Sequence, residues 1–261
     1  TEAQRTALMA RADKLQAQID AFPETVPEDL KAILPLNPLH ADIYALSAPL
    51  HRARGFTGLL AWQGNRWDPL TPTQVPAGSP PRPALRVQMM SREHRAEAFN
   101  LTNCTDRPLT VRLNLSDLPG GANPKYVSVR EVLWTDTREM SPIAAALPEA
   151  KPSPLGGYRL TIPAGMTRQV WLAFHPTEVK PGLYQGKVVV EAGREAETLT
   201  LPLTFKLYDL QFPAWPSIAV GGWDYVNGRG SYEASLPGLP ALIKSLTEHF
   251  VDTPWATSSV A

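Results

Sequence analysis

The chain has 261 residues, and its 25 acidic and 25 basic side chains give a formal net charge of zero. This balance provides no basic stripe for nucleic acid, and the single cysteine, Cys104, excludes an internal disulfide and a cysteine-rich zinc site. No run of about 18 apolar residues occurs, so the sequence predicts no membrane-spanning helix.

The N-terminal region, residues 1–67, is predicted to be a helical arm. Residues 27–34 and 40–53 are two candidate helices, whereas the apolar run within residues 56–67 is too short to distinguish a helix from a strand. Residues 2–21 carry apolar side chains at spacings of three and four, which is the period of an amphipathic helix: Leu8, Ala12, Leu15, Ile19 and Phe22.

The middle of the chain has the pattern of an antiparallel β-sandwich. Residues 68–83 contain six prolines and are predicted to be an extended connector to the next domain. From residue 84 to 210 apolar and polar residues alternate, as in strands with one buried face. About eight strands are predicted, a density typical of an immunoglobulin-like sandwich: residues 85–89, 95–102, 111–115, 125–134, 158–162, 166–174, 183–190 and 198–207.

Three features of these strands give specific expectations. The apolar phase slips between Val129 and Val132, which predicts a β-bulge. Pro202 cannot donate a ladder hydrogen bond, so its strand is predicted to be an edge strand or bulged. Three segments are predicted to be consecutive antiparallel strands of one sandwich: residues 169–174, 181–190 and 198–207.

The last segment, residues 211–261, changes pattern again. A short apolar strand over residues 218–225 is followed by a glycine-containing loop and by the entry to another strand near residues 249–255. Between them lies a helical face, formed by Leu239, Leu242, Leu246 and Phe250. Strand, helix and strand in this order predict the first βα unit of a truncated (β/α)8 barrel.

Three motifs carry a resemblance to a known family: QVWL at residues 169–172, PGLYQGKV at residues 181–188 and LPLTFKLYDLQFP at residues 201–213. Their succession is similar to the N-terminal β-sandwich of bacterial glycoside hydrolase family 123 and its uncharacterised relatives. The similarity covers about residues 85–255, including the proline crossing and the Gly-Gly-Trp-Asp strand.

The resemblance implies a multidomain bacterial enzyme in which the sandwich leads into a (β/α)8 barrel. Such an enzyme cleaves a glycosidic bond to a 2-acetamido sugar, with the acetamido group of the substrate as the nucleophile. A neighbouring Asp–Glu pair orients that group and acts as the general acid. Residues 218–261 contain no adjacent Asp–Glu pair, so no catalytic residue is assigned to this chain.

Five residues are candidates for substrate binding. Trp223, Asp224 and Tyr225 would lie at the carboxyl end of the first barrel strand, the face where barrel enzymes place their chemistry. Trp255 would lie at the same end of the next strand, and Asn227 would add a hydrogen bond. The alternatives are a core tryptophan, an aspartate that caps a loop, and an asparagine that forms a turn.

The remaining aromatic residues and histidines give weaker signals. Trp134 and Trp171 are predicted to be core or interface residues of strands. Trp62 and Trp67 are predicted either to form an exposed aromatic pair or to pack against the sandwich. The five histidines have no metal-binding spacing, and no phosphate loop or dinucleotide fingerprint occurs, so we expect no metal and no cofactor: His40, His51, His94, His175 and His249.

Three functions remain open. The first is the non-catalytic N-terminal part of a carbohydrate-active glycoside hydrolase, whose partners are a glycan and the rest of the barrel. The second is a stand-alone glycan-binding sandwich, which would expose coplanar aromatic rings among Trp134, Trp171, Tyr158 and Tyr184. The third is an envelope or interaction protein without catalysis, which would pair with another chain through the edge at Pro202.

The first residue leaves the compartment open. No signal peptide is present, but Thr1 is not an initiator methionine, which is compatible with a leader removed by processing. The sequence therefore favours a bacterial protein that is exported to the periplasm or beyond the cell.

Overall fold

Alternation of apolar and polar residues after position 84 produces two antiparallel sheets in the computed structural model. The structure describes residues 2–23, 32–193, 197–215, 217–225 and 238–255. The chain divides into two units, Thr1–Asp209 and Leu210–Ala261. Mainly β structure is therefore confirmed for the first unit.

The helices of the first unit are α1 (Glu2–Asp20), α2 (Pro38–Ala45) and α3 (Ser47–Ala53). Its strands are β1 (Leu59–Trp62), β2 (Leu85–Ser91), β3 (Arg95–Asn103), β4 (Leu109–Ser116), β5 (Val127–Glu131), β6 (Leu133–Thr135), β7 (Ile143–Ala146), β8 (Lys151–Pro152), β9 (Tyr158–Ile162), β10 (Thr167–Phe174), β11 (Gly182–Ala192) and β12 (Glu197–Gln211).

Two sheets share one core. The four-stranded sheet has the order β1-β3-β10-β5, and the six-stranded sheet has the order β2-β12-β11-β4-β9-β8. Phe174 of the first sheet and Phe205 of the second meet with ring centroids 5.4 Å apart, and both are fully buried. Packing of two antiparallel sheets over a common apolar layer is the arrangement of a β-sandwich.

Strand β12 shows how the alternating pattern builds this core. Leu201, Leu203 and Phe205 are fully buried, whereas Pro202 and Lys206, which alternate with this set, are exposed. Burial of each large apolar side chain contributes roughly 1.5–3 kcal/mol relative to leaving it in water. The period of two therefore fixes which face of the strand is inside.

The pairing of the three consecutive strands differs in part from the prediction. Strands β11 and β12 form an antiparallel hairpin, with Gly182 opposite Leu207 and Ala192 opposite Glu197. Strand β10 belongs to the other sheet, between β3 and β5. Alternation specifies an inner face but not the sheet that a strand joins, because both sheets present their apolar faces to the same core.

Strand β12 as a whole is not an edge strand and has no bulge at Pro202, so this prediction is wrong, whereas pairing with another chain through this strand stays a prediction. Strand β12 lies between β2 and β11, and its register against β11 continues through Pro202 opposite Lys187. The Tyr208 hydroxyl donates to the Gln88 side chain at 2.9 Å, which places the seven-residue β2 beside the C-terminal half of the fifteen-residue β12.

The predicted bulge between Val129 and Val132 is a strand break. Strand β5 ends at Glu131, and β6 leaves the four-stranded sheet to pair with β7. The backbone N–H of Val132 donates to the Gln169 carbonyl at 2.9 Å, so β10 holds the chain until the point where it turns away. The phase slip in the sequence marks this change of partner.

The N-terminal region is part of the first unit. In α1, Leu15 is buried and Leu8 is half-buried, but Ile19 and Phe22 are exposed, so the predicted apolar stripe is covered only along part of the helix. Strand β1 lies within the range predicted as a helical arm, and it pairs antiparallel with β3.

The predicted helix over residues 27–34 is wrong at its C-terminal end. Ile33 forms a β-bridge with Thr135, and the Leu34 N–H donates to the Trp134 carbonyl at 2.9 Å. Leu34 packs with Trp134 and Met166 in a buried cluster, and this tertiary contact overrides helix propensity. Residues 24–31 lie outside the described residues.

The proline-rich segment, residues 68–83, packs along the sandwich. The Thr167 N–H donates to the Pro72 carbonyl at 2.7 Å, and its hydroxyl donates to the Gln74 carbonyl at 2.6 Å. Val75 is buried with Cys104 in a small apolar cluster. Both flanks of this segment belong to the first unit.

A tight turn before β10 gives a testable expectation. Gly165 has φ +71°, and a Cβ there would overlap the Tyr44 carbonyl oxygen and approach the Ala48 nitrogen at 3.0 Å. Replacing Gly165 with alanine is expected to lower the free energy of unfolding by about 2–5 kcal/mol, from backbone strain and overpacking. Gly193 also has φ +71°, but a Cβ there would meet no atom within 4 Å, so Gly193→Ala is the matched control, with an expected loss of about 1 kcal/mol.

The two glycine variants are compared by urea unfolding monitored by tryptophan fluorescence. The difference between their midpoints reports the steric overlap at Gly165, because the strain from positive φ is common to both. Equal losses would show that the turn before β10 relaxes away from Tyr44.

Candidate functional site

The second unit contains a strand–helix–strand element. Strand β13 (Gly221–Tyr225) and strand β14 (Thr253–Trp255) pair in parallel, and helix α4 (Leu239–Glu248) lies between them in the chain. The helix half-buries Leu242 and Leu246. A parallel pair joined through a helix is the unit from which α/β domains are built.

The backbone brings four of the five predicted site residues to one edge of this pair. Trp223, Asp224 and Tyr225 are the last three residues of β13, and Trp255 is the last residue of β14. In the parallel register Tyr225 lies opposite Trp255, so both strands end at the same edge. Asn227 lies outside the described residues. The binding roles of these residues remain predictions.

The opposite edge of the pair is held by a carboxylate that the sequence pattern did not single out. Asp252 accepts hydrogen bonds from the Val220 N–H at 2.8 Å and from the Thr253 hydroxyl at 3.0 Å. The Val220 hydrogen bond, supported by the one from Thr253, lowers the pKa of Asp252. An aspartate directly before a Thr-Pro strand start is the signal that could have identified this tie.

Several titratable side chains of the first unit are buried or packed against other side chains. Burial lowers the pKa of His51, whose ring nitrogen lies 3.0 Å from the Gly165 carbonyl oxygen. Burial raises the pKa of the Cys104 thiol to about 11, so this cysteine is not a nucleophile at neutral pH. His94 and His175 stack with ring centroids 3.8 Å apart.

Neither a metal centre nor a membrane span is found in the part of the chain that the structure describes. Within those residues no group of three or more histidine, cysteine, aspartate or glutamate side chains is arranged to hold a metal ion. Among the described helices, none has the length and apolar character needed to cross a membrane.

The tryptophans of the sandwich separate into structural and exposed residues. Trp134 is fully buried and donates to the Thr167 carbonyl at 2.8 Å. Trp62 is also buried and donates to the Thr102 hydroxyl at 2.9 Å, which excludes an exposed pair of Trp62 and Trp67 and favours the alternative of packing against the sandwich. Trp67 is exposed and meets Trp171 instead.

The four aromatic residues expected on a flat glycan-binding face do not form one surface. Trp134 is buried, and Trp171 is half-buried on the four-stranded sheet. Tyr158 and Tyr184 are half-buried on the six-stranded sheet, packed against the core between the two sheets. Their arrangement argues against a platform shared by all four rings.

No protein-family model matches the chain, and no curated protein matches it. Among solved structures it is similar to a family 123 glycoside hydrolase from Clostridium perfringens, which is described for glycolipid glycan hydrolysis. The TM-score is 0.46 and the sequence identity is 14%, over 66% of this chain and 33% of that chain. It is also similar to PapD-like domain 7 of human CEP192 (TM-score 0.31, 13% identity, 54% of this chain and 95% of that domain).

A third similar structure is the CsuC–CsuE chaperone–tip adhesion subunit complex of Acinetobacter baumannii, with a TM-score of 0.29 and 13% identity over 62% of this chain and 56% of that chain. The chain spans about one third of the length of the glycoside hydrolase. Likenesses of this size assign neither a family nor an activity to the chain.

Proposed function

We propose that this chain is the non-catalytic N-terminal part of an exported, bacterial, carbohydrate-active glycoside hydrolase. The sandwich braces the enzyme, and the second unit opens a (β/α)8 barrel that acts on 2-acetamido sugars. The observation that carries this proposal is the parallel β13–α4–β14 unit, which follows an antiparallel sandwich directly along the chain. The motif resemblance to family 123 supports the choice of sugar.

The edge formed by the ends of β13 and β14 is the proposed substrate face. Ligands of α/β proteins bind outside the carboxyl ends of parallel strands. Tryptophan offers a flat apolar face to a sugar ring, and a carboxylate accepts hydrogen bonds from its hydroxyls. Trp223, Asp224, Tyr225 and Trp255, with Asn227 in the following loop, are the proposed binding residues.

Glycoside cleavage ordinarily requires two groups in a fixed relation, a general acid and a nucleophile or base. In the mechanism that the resemblance implies, the substrate acetamido group replaces one of them, and an adjacent Asp–Glu pair supplies the rest. Residues 218–261 contain no such pair. The bond-breaking residues are therefore proposed to lie in the part of the barrel that follows Ala261.

The proposed face is tested with two matched aspartate variants in the protein extended past Ala261. Asp224 lies at the carboxyl edge of the parallel pair, whereas Asp252 lies at its amino edge. On aryl 2-acetamido glycosides, Asp224→Asn is expected to lower kcat/KM by about 10- to 100-fold, through a lost charged hydrogen bond to the sugar. Asp252→Asn keeps an acceptor for Val220 and is expected to change kcat/KM by less than about twofold. Equal effects of the two variants on kcat/KM would contradict the proposal that the carboxyl edge is the substrate face.

A further inference from the structure

A concave surface lies in the first unit, on the outer face of the four-stranded sheet. It is bounded by residues 66–70 on one side and by the β6–β7 hairpin on the other, and Gln169 and Trp171 of β10 line it. The cavity encloses about 420 Å³. Sites for small ligands commonly range from about 300 to 1,000 Å³, so the cavity is large enough for one or two ring-sized groups.

Two indole rings form a corner at this cavity. The ring centroids of Trp67 and Trp171 are 5.4 Å apart, and the ring planes are inclined by 76°. Trp67 is 74% exposed, which is unusual for a residue that folding normally buries. The guanidinium of Arg66 lies 5.8 Å from the Trp67 ring centroid and packs on the aromatic ring.

Hydrogen bonds orient Trp171, and an ion pair orients Arg66, which packs on Trp67. The Trp171 indole N–H donates to the Gln169 side-chain oxygen at 2.6 Å, and the Gln169 amide donates to the Asn100 side chain at 3.2 Å. Gln169 and Asn100 are both buried, so their hydrogen bonds fix the orientation of the Trp171 ring. Arg66 is fixed by an ion pair with Glu97 at 3.2 Å. A site ordered in advance loses little conformational entropy when a ligand binds.

The polarity of the walls defines the ligand. Arg66 and Asp68 are the charged side chains that line the cavity, and because Glu97 already offsets the charge of Arg66, the site favours a ligand without negative charge. The remaining wall is largely apolar, as at Leu70 and Ile143. A ligand that fits has one apolar face for the indole rings and several hydroxyl groups that can pair with both the guanidinium and the carboxylate.

We propose that the Trp67–Trp171 corner is a binding subsite for a neutral saccharide. A pyranose ring has a C–H face that stacks on an indole and hydroxyl groups around its rim. A proline-rich peptide fits less well, because an extended polyproline helix needs a row of aromatic grooves, whereas these two rings meet edge to face. The subsite belongs to the sandwich. Only the choice of sugars for the test rests on the proposed function.

The test is isothermal titration of the chain with a tetramer of N-acetylglucosamine, with cellotetraose, and with a decamer of proline. Trp67→Ala is the informative variant, because its exposed side chain contributes little to folding, and Trp171→Ala removes the second ring. Trp215→Ala is the matched control, because Trp215 is 73% exposed and lies in the second unit. Thermal unfolding of each variant verifies that it is folded.

At least one tetrasaccharide is expected to bind the chain, and Trp67→Ala is expected to weaken that binding by about tenfold or more, as for other aromatic anchors. Trp215→Ala is expected to leave the affinity unchanged. Failure of both sugars to bind, binding that Trp67→Ala does not weaken, or binding of the proline decamer alone overturns the proposal. If Trp171→Ala does not fold, Trp67→Ala decides the outcome.

Failure of this subsite and failure of the proposed function give different results. Saccharide binding that depends on Trp67, in a protein that hydrolyses no 2-acetamido glycoside, supports the subsite and contradicts the proposed enzyme. Hydrolysis by the extended protein together with no binding to this chain supports the enzyme and overturns the subsite.

Discussion

Replacing Trp134 with alanine is expected to lower the free energy of unfolding by about 3–5 kcal/mol. Its side chain is fully buried and packs with Leu34 and Met166, and its indole N–H donates to the Thr167 carbonyl at 2.8 Å. The substitution leaves a cavity and an unpaired buried carbonyl at the place where three distant segments meet.

Two matched variants separate these contributions in urea unfolding. Trp134→Phe keeps most of the ring volume but removes the donor to Thr167, and it is expected to lose about 1–2 kcal/mol. Trp171→Ala removes a half-buried ring of the same size and is expected to lose less than Trp134→Ala. An equal loss for Trp134→Ala and Trp171→Ala would mean that the cluster around Trp134 is not a structural anchor.

Replacing Arg168 with methionine is expected to lower the free energy of unfolding by about 3 kcal/mol near pH 7. Arg168 is 5% exposed, its Nε lies 3.6 Å from the Glu131 carboxylate, and its Nη1 donates to the Val132 carbonyl at 3.0 Å. The variant leaves the Glu131 carboxylate without its cation and removes the donor to that carbonyl. Removal of one partner of a buried pair costs more than removal of both.

The pH dependence of the pair follows from Glu131. Burial raises the pKa of its carboxyl, and the attraction of Arg168 opposes but does not cancel this shift. Since the folded state holds this proton more tightly than the unfolded chain, the contribution to stability is present below the ordinary glutamate pKa and is lost as pH rises through the folded value. The loss in Arg168→Met is therefore expected to shrink on acidification.

Glu131→Gln is the complementary variant, because it leaves the buried Arg168 guanidinium without its carboxylate partner. Its loss near pH 7 is expected to be about 3 kcal/mol, and the double variant is expected to lose less than the sum of the two single variants. The measurement is urea unfolding of the four proteins at several pH values. A pH-independent loss in Arg168→Met would contradict the assignment to Glu131.

Local patterns predicted much of the sandwich. In β12 the buried residues Leu201, Leu203 and Phe205 follow from alternation alone, because successive side chains of a strand point to opposite faces. The phase slip near Val132 correctly marked an irregularity, although its form was a change of strand partner. These features depend on residues close together in the sequence.

Features that depend on distant contacts were not predicted. Leu34 belongs to a stretch with helical signals, yet its contact with Trp134 places it in a β-bridge region. The pairing of Trp67 with Trp171 joins the segment after β1 to the middle of β10, and no local period reports such a contact. Trp62 was indistinguishable from Trp67 in sequence, but only Trp62 faces a buried hydroxyl, that of Thr102.

The strand edge that Tyr225 and Trp255 share was predictable, whereas their binding roles stay predictions. Tyr225 and Trp255 share one edge because β13 and β14 are parallel, which the strand–helix–strand order implies. The hydrogen bonds made by Asp252 at the other edge were missed, although its position directly before the Thr-Pro strand start was a usable signal. The chemistry of the edge depends on side-chain positions that strand order alone does not set.

The proposed function is tested most directly by comparing the turnover of aryl 2-acetamido glycosides between two proteins of different length. We expect no turnover by the chain that ends at Ala261 and measurable turnover by the same chain followed by the residues encoded after Ala261. Turnover by the shorter chain alone would contradict the proposal that the bond-breaking residues lie beyond the first strand–helix–strand unit.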